Sequence, residues 1–271
     1  MAKRIRVGAV NYLNTKPLIA GFETFAPGAE LVLDLPSRLA DDLAAGRLDV
    51  ALIPSVEFFQ DPDYTIVSDA CIGCRGPVLS VKLFSRAPVE SIRTLALDEG
   101  SRTSAALARI LLFERFGLRP SIEPLPITAS LADSTADAAL LIGDRAIHSP
   151  LGRFEVVWDL GDEWNRWAEL PFVFAMWTAR TGADLGDIEQ ALAKSRDYGV
   201  SRLEEIAERE APLLGLTRPQ CLTYLRDHLH FYLGPQERRG LALFRRRAAA
   251  LGLAPPDPAD KPEPASKVRV T

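Results

Sequence analysis

Residues 7–22 read VGAVNYLNTKPLIAGF, and the point at which this stretch changes character decides the fold. Ile5 to Val10, IRVGAV, has the apolar content of a strand. Asn11 and Asn14 interrupt the run, and Thr15 to Phe22 reads as helical, with Pro17 near the first turn where a missing N–H costs little. A strand that runs directly into a helix opens a βαβ unit, and the following stretches repeat the pattern. ELVLDL, Glu30 to Leu35, is a strand. Pro36-Ser37 leads into RLADDLAAG, which puts Leu39 and Leu43 on one helix face and ends at Gly46. LDVALIP is a buried strand ending at Pro54, and SVEFF begins another helical turn with Ser55 in the N-cap position. This alternation predicts a parallel sheet with its loops gathered at the C-terminal ends of the strands.

Further along, GPVLSVKLFS (residues 76–85) reads as one long strand, after which the pattern restarts. TLALDEG is a strand, SRTSAALARILLFERFG a helix, and residues 121–125 a Pro-punctuated strand. ADAALLIG is a strand, IGDRAI turns helical, FEVVWDLG is a strand, and ELPFVFAMWTAR is a last long one. Beyond Gly182 only helical periodicity remains. Two α/β units, the second flanked by long strands that carry the chain out and back, predict a two-lobed α/β fold of the type II periplasmic-binding-protein plan with a central interlobe cleft. The expected division is residues 1–88 with 179–250 as the first lobe, 89–178 as the second, and 251–271 as a Pro-rich tail. Interlobe clefts are favoured places for small-molecule sites.

Composition narrows the function. The 271 residues are 47% hydrophobic and 25% charged, ordinary for a packed protein, and the net charge of −4 argues against nucleic acid as a partner. MAKRIRVGAV begins basic, but Asn11 ends its apolar run too early for a signal-peptide core. Nothing approaches the roughly 18 apolar residues of a membrane span. Three Cys suit a reducing compartment, so a cytoplasmic protein is expected. Cys71 and Cys74 form a CxxC in a Gly-rich stretch read as a loop, with no second CxxC and no His at ligand spacing, and the pair reads as incidental. No sequence signature marks an oligomeric state.

If the lobes close on a cleft, the strand-end loops bring to it Asn11, Tyr12, Asn14, Ser37, Ser55, Ser80, Ser101, Arg102, Thr103, Ser104, Gly143 and Asp144. These are mostly hydrogen-bond donors. SRTS, residues 101–104, follows a strand and opens a long helix, so its free N–H groups and hydroxyls fit a carboxylate or phosphate, with Arg102 adding charge. Helix capping by Ser101 or Thr103 is the alternative, and the Pro-Ser steps at Ser37 and Ser55 admit the same two readings. Asn11 and Asn14 suit either a turn or donation to a substrate oxygen. Asp144 and Glu57 are the nearby carboxylates; each could be a general base, but Asp144 reads rather as a helix cap and Glu57 as a helix residue. Trp158, Trp164 and Trp167 read as packing residues. The sequence has no GxSxG, Walker A, HExxH or GxGxxG, and three scattered His offer neither a metal site nor a triad. Any catalysis then rests on positioning and electrostatics around an anion, with no metal and no cofactor.

VGAVNYLNTKPL, PSRLADDLAAGRLDVALIPSVEFF, CRGPVLSVKLFS, LDEGSRTSAALARILL, AALLIGDRAI and DLGDEWNRWAELPFVFAMW together resemble the chorismate dehydratases, the lyases that open the futalosine route to menaquinone. The sister dihydroxynaphthoate-forming cyclases share the fold but usually open with a Ser-Pro-Cys-Pro-Asn type segment, from which NYLNTKP departs. The resemblance implies loss of water from chorismate to give 3-[(1-carboxyvinyl)oxy]benzoate, with the substrate's own enolpyruvyl carboxylate as base. Carried over by motif, Asn14 resembles the polar residue that helps the elimination and Ser80 its companion. Ser101, Thr103 and Ser104 resemble carboxylate holders. The rival classes are a non-catalytic carboxylate-binding protein and the sister cyclase.

Overall fold

The computed structural model describes residues 4–148 and 154–257. The chain begins with β1 (Arg6–Val10), a 3₁₀ segment (Leu13–Ile19), α1 (Phe22–Phe25), β2 (Glu30–Asp34), α2 (Pro36–Ala44), β3 (Val50–Pro54), α3 (Ser55–Phe58) and β4 (Tyr64–Cys74). It continues through β5 (Val81–Ser85), β6 (Thr94–Asp98), α4 (Arg102–Phe116), β7 (Ser121–Leu125), β8 (Ala138–Ile142), α5 (Asp144–Ile147) and β9 (Val156–Asp159). The last elements are α6 (Leu160–Ala168), β10 (Phe172–Arg180), α7 (Ile188–Val200), α8 (Leu203–Glu210), α9 (Arg218–Thr223), a π-helical turn (Tyr224–His228), β11 (His230–Tyr232) and α10 (Pro235–Ala250).

Hydrogen bonding sorts the strands into two sheets, ordered β11-β4-β10-β3-β1-β2 and β7-β6-β8-β5-β9. β1 pairs parallel with both β2 and β3, and β6 with both β7 and β8, as βα alternation requires. β10 lies antiparallel between β3 and β4, and β5 antiparallel between β8 and β9. All five residues of β3 and the first eight of β10 are buried, so both read as unbroken apolar runs and not as alternation. α7 packs against β4 and the 3₁₀ segment, and α10 against β10, so the C-terminal helices clothe the first sheet.

The larger of two apolar cores runs through both sheets, and a smaller one with Phe84, Ala96 and Leu141 belongs to the five-stranded sheet. α4 meets α3 and α10 of the first lobe as well as α6, and Arg115 of α4 pairs with Glu163 of α6. Trp164 is fully buried, 5.1 Å from Phe172 and 6.2 Å from Phe244, and its Nε1–H donates to the Pro171 carbonyl. Trp167 packs on Trp164, and Trp158 on Phe116. All three Trp are therefore packing residues.

Several expectations are corrected. Residues 76–85 are not one strand: only Val81–Ser85 is extended, and 75–80 is a turning connection. The Gly-rich stretch around the CxxC is not a loop but the buried end of β4, held by pairing with β10 and β11. Burial pushes both thiols up, Cys74 to about 12, which leaves little thiolate for redox chemistry. The Trp-rich stretch contains a helix, α6, and β11 lies among the C-terminal helices. The expected boundaries at 88 and 178 also move. β5 belongs to the five-stranded sheet and β10 to the six-stranded one, so the crossings between sheets are the short segments 75–80 and 160–171. Of the expected tail, Ala254 is buried and Gln60 Nε2 donates to the Leu253 carbonyl; residues 258–271 lie outside the described residues.

Candidate active site

Between the sheets lies a cleft with about 510 Å³ of empty space, counting its open mouth. Its walls include Val10, Pro36, Pro54, Ile72, Val78, Val81, Ile142 and Phe174, with polar groups from Tyr12, Asn14, Ser80 and the turn Gly100–Ser104. An apolar pocket with a few convergent donors is the usual form of a small-molecule site.

Each donor is placed by its own local structure. Where β1 ends, Thr15 N–H closes a 3₁₀ turn on the Tyr12 carbonyl (3.1 Å), which swings Asn14 to the cleft. The Thr15 hydroxyl donates to Asn14 Oδ1 (3.2 Å), so the amide NH₂, which lies beside the buried Tyr224 hydroxyl, is the donating end. Ser80 reaches the cleft from the first crossing and is 1% exposed. Behind the third contributor, Asp98 at the end of β6 accepts from Gly100 N–H (3.0 Å) and from Arg145 Nη2 (2.7 Å), and its carbonyl accepts from Ser101 N–H. Burial pushes the Asp98 carboxyl up against the opposing pull of Arg145. This ion pair fixes the loop that feeds α4. Ser101 stands at the N-cap of the 15-residue α4 yet makes no side-chain cap bond. Its hydroxyl, and the helix's first N–H groups, remain for a ligand.

Two members of the SRTS turn have taken other work. Thr103 Oγ1 accepts from Val56 N–H (3.2 Å), so it serves the start of α3 in the opposite lobe and not its own helix. Arg102 spans the lobes too, donating to Asp41 of α2 (2.9 and 3.0 Å) and Glu57 of α3 (3.1 Å). Burial works to lower its pKa, but the bonds and charges of the two carboxylates outweigh this and the net shift is upward. The guanidinium is thus engaged as an interlobe bridge, although its residue lines the cleft.

Asn11, Ser37, Ser55 and Asp144 fall outside the lining. Asn11 is exposed, and its N–H donates to the Asp34 carbonyl. Ser37 is half-buried in the first turn of α2, behind Pro36. Ser55 is not an N-cap. Its hydroxyl donates to the Val173 carbonyl (2.7 Å), fully buried behind the cleft, because the tight β3–α3 junction turns it toward β10. Asp144 does not cap α5 either; Gly143 holds that position, and Asp144 Oδ1 accepts Leu13 N–H (3.1 Å) from the opposite lobe. Gly143 lines the cleft with φ 64° and ψ −151°, a region essentially closed to side chains, and a Cβ there would lie 2.9 Å from the Tyr12 ring. The Tyr12 hydroxyl is buried without a hydrogen-bond partner, and burial first, then Asp98 and Asp144, raise its pKa. Glu57 sits on α3, bound to Arg102.

Sequence patterns passed over Asp41, Asp98, Arg145, Asp159 and Tyr224. Asp98 had a visible cue, an Asp two residues before Gly100, and Asp159 another, an Asp opening a helix. Tyr224 is fully buried near Asn14 and Ser80 and had none. Tyr12 and Arg102 are the only ionisable side chains in the lining, which therefore offers neutral donors and a helix N-terminus but no carboxylate or imidazole base. Among the described residues no three His, Cys, Asp or Glu side chains are grouped to hold a metal, and no helix is long and apolar enough to cross a membrane.

Asp144 gives a pH test of this interlobe seam. Burial, the largest influence, raises its carboxyl pKa above 3.8 despite the Leu13 N–H and Lys16. The folded state then keeps a proton that the unfolded chain has released. Its contribution is fully present below the unfolded pKa and is lost as pH rises through the folded value. Asp144→Asn, which keeps an acceptor for Leu13, is expected to gain stability relative to the parent as pH rises from about 4 to 7 in urea unfolding. A relative loss over that range would contradict the assignment.

Three comparisons bear on this arrangement. Residues 5–250 match the model of the family described as Menaquinone biosynthesis. The curated chorismate dehydratase of Thermus thermophilus is 33% identical over 266 residues, spanning 91% of this chain and 95% of the relative. That of Campylobacter jejuni is 27% identical over 243 residues, spanning 90% and 93%. Among solved structures, a Candida albicans protein described as having the generic periplasmic binding protein fold superposes with TM-score 0.58 at 10% identity. The superposition covers 89% of this chain and 90% of that one, and so bears out the two-lobed α/β plan.

Proposed function

The chain belongs to the menaquinone-biosynthesis family, and we propose that it is a chorismate dehydratase, a carbon–oxygen lyase that acts in the cytoplasm as part of the futalosine route. Three free, buried cysteines suit that reducing compartment. One observation carries the activity: Asn14, Ser80 and the Ser101–Ser104 turn converge on a single cleft that has no side-chain base. Chorismate needs little more. It brings two carboxylates, and one fits the N–H groups and hydroxyls of Ser101 and Ser104 at the start of α4. The other, on the enolpyruvyl arm, takes the C3 proton. The C3–H bonding pair becomes ring π density, the C4–O bond breaks, and the hydroxyl leaves as water with the proton that the carboxylate took up, which regenerates the carboxylate. Asn14 and Ser80 hydrogen-bond the reacting edge, favouring charge that builds only as the C4–O bond stretches. Aromatisation supplies the driving force, so orientation is the protein's main task.

Purified protein incubated with chorismate is expected to release 3-[(1-carboxyvinyl)oxy]benzoate, seen by mass as loss of one water. Chorismate bound but returned unchanged would make the protein a solute binder. Turnover of the cyclic futalosine-derived compound instead would make it the sister cyclase. The interlobe bridge has its own signature. Arg102→Ala frees Asp41 and Glu57, lowers the fraction of closed cleft, and is expected to raise KM roughly tenfold with kcat changed far less. A kcat-only defect would return Arg102 to direct contact with the reacting atoms.

A further inference from the structure

The segment that delivers Ser80 is strained, and its restraint comes from outside it. Ser80 N–H closes a three-residue turn on the Val78 carbonyl (2.7 Å), with Leu79 at its centre at φ 60°. This is the rare form of the γ-turn, in a region that a residue with a branched apolar side chain seldom enters. Leu79 and Glu169 are the two non-glycine residues with positive φ among the described residues, and Leu79 adjoins the cleft. Such geometry persists only where its surroundings impose it.

Asp159 imposes it. Standing where β9 passes into α6, at the start of the return crossing, its carboxylate accepts Val78 N–H (2.9 and 3.0 Å) and Leu79 N–H (2.6 Å) from the outward crossing. The same group accepts Gly161 N–H (3.0 Å) and Asp162 N–H (3.2 Å) as N-cap of α6. The work divides between the two oxygens. Oδ1 serves the helix and shares Val78, whereas Leu79 is held by Oδ2 alone. Gly143 N–H, donating to the Ser80 carbonyl (2.9 Å), braces the turn from the other side. We propose that Asp159 is a positioning residue for the reaction: it ties the two crossings together, holds the Leu79 turn in its strained form, and so keeps the Ser80 hydroxyl aimed into the cleft. This rests on the assignment of Ser80 to the reacting edge.

The substitution Asp159→Asn separates the two jobs. Asn is as good an N-cap as Asp, so its oxygen keeps α6 capped, but its NH₂ then meets Leu79 N–H, donor against donor. With chorismate as substrate, Asp159→Asn is expected to lower kcat on the order of tenfold or more while KM moves by less than about twofold. In a Ser80→Ala background it should cost nothing further, since the hydroxyl that it aims is gone. Adding Leu79→Gly, which accepts φ 60° without penalty, should restore most of the lost kcat, and also the fold should Asp159→Asn alone fail to fold. Undiminished kcat in Asp159→Asn, a loss that multiplies with that of Ser80→Ala, or no rescue by Leu79→Gly would each overturn the proposal and leave Asp159 a helix cap. Wild-type kcat in Ser80→Ala would instead overturn the reading of Ser80 on which it stands.

Discussion

Asn14→Ala is expected to leave the fold in place and to lower kcat/KM for chorismate on the order of 10²–10³-fold, most of it in kcat. The fold should survive because the 3₁₀ segment is held by other groups. Thr15 N–H bonds the Tyr12 carbonyl, Leu13 N–H bonds Asp144, and Leu13, Thr15, Pro17 and Leu18 are buried. Asn14 itself contributes the 3.2 Å contact from the Thr15 hydroxyl and a place beside the buried Tyr224 hydroxyl. Its catalytic share is large because the cleft has no charged group to take over: Arg102 is spent on Asp41 and Glu57, and the buried Tyr12 hydroxyl stays neutral. A donor aimed at developing charge in an apolar pocket is worth far more than one in water. Steady-state kinetics with a melting curve on the same sample tests this. Near-normal turnover by a folded variant would remove Asn14 from the mechanism.

Gly199→Ala is expected to cost about 3 kcal/mol or more, lowering Tm by roughly 6–12 °C. Gly199 lies near the end of α7, where the helix rests on the 3₁₀ segment. A Cβ there would stand 2.0 Å from the Pro17 carbonyl oxygen and 2.6 Å from its carbon. Both are backbone atoms, and no side chain can swing aside, so the two elements must part by about an ångström or more. That displacement carries Asn14 with it, and misplacement on this scale costs about as much turnover as losing the donor. The change should therefore depress both Tm and kcat, although residue 199 never meets substrate. A Tm within about 2 °C of the parent would show that the close approach is not rigid.

What the sequence revealed follows from the range of the interactions concerned. β1, β2, β3, β6 and β8 were legible because each is a short apolar run punctuated by Pro, Gly or a helix start, and local chemistry alone marks them. β4 was not. Its cysteines and glycine imitate a loop, and it becomes a strand only through pairing with β10 and β11, some 100 and 160 residues away. The same contrast divides the site. Asn14 and the 101–104 turn sit at strand-to-helix junctions, which a βα pattern locates. The other commitments of Arg102 and Thr103 are contacts across the cleft, and that of Ser55 is to the neighbouring strand β10, all invisible to spacing. The lobe boundaries slipped for a related reason: a long apolar strand looks the same in whichever sheet it pairs.

The central claim is tested most directly by a crystal structure of Asn14→Ala soaked with chorismate. One substrate carboxylate should lie about 2.7–3.2 Å from the backbone N–H groups and hydroxyls at Ser101–Ser104, with the C4 hydroxyl toward Ser80 and the vacated amide position. Chorismate bound elsewhere, or a cleft left empty at a concentration that saturates turnover by the parent, would contradict the account.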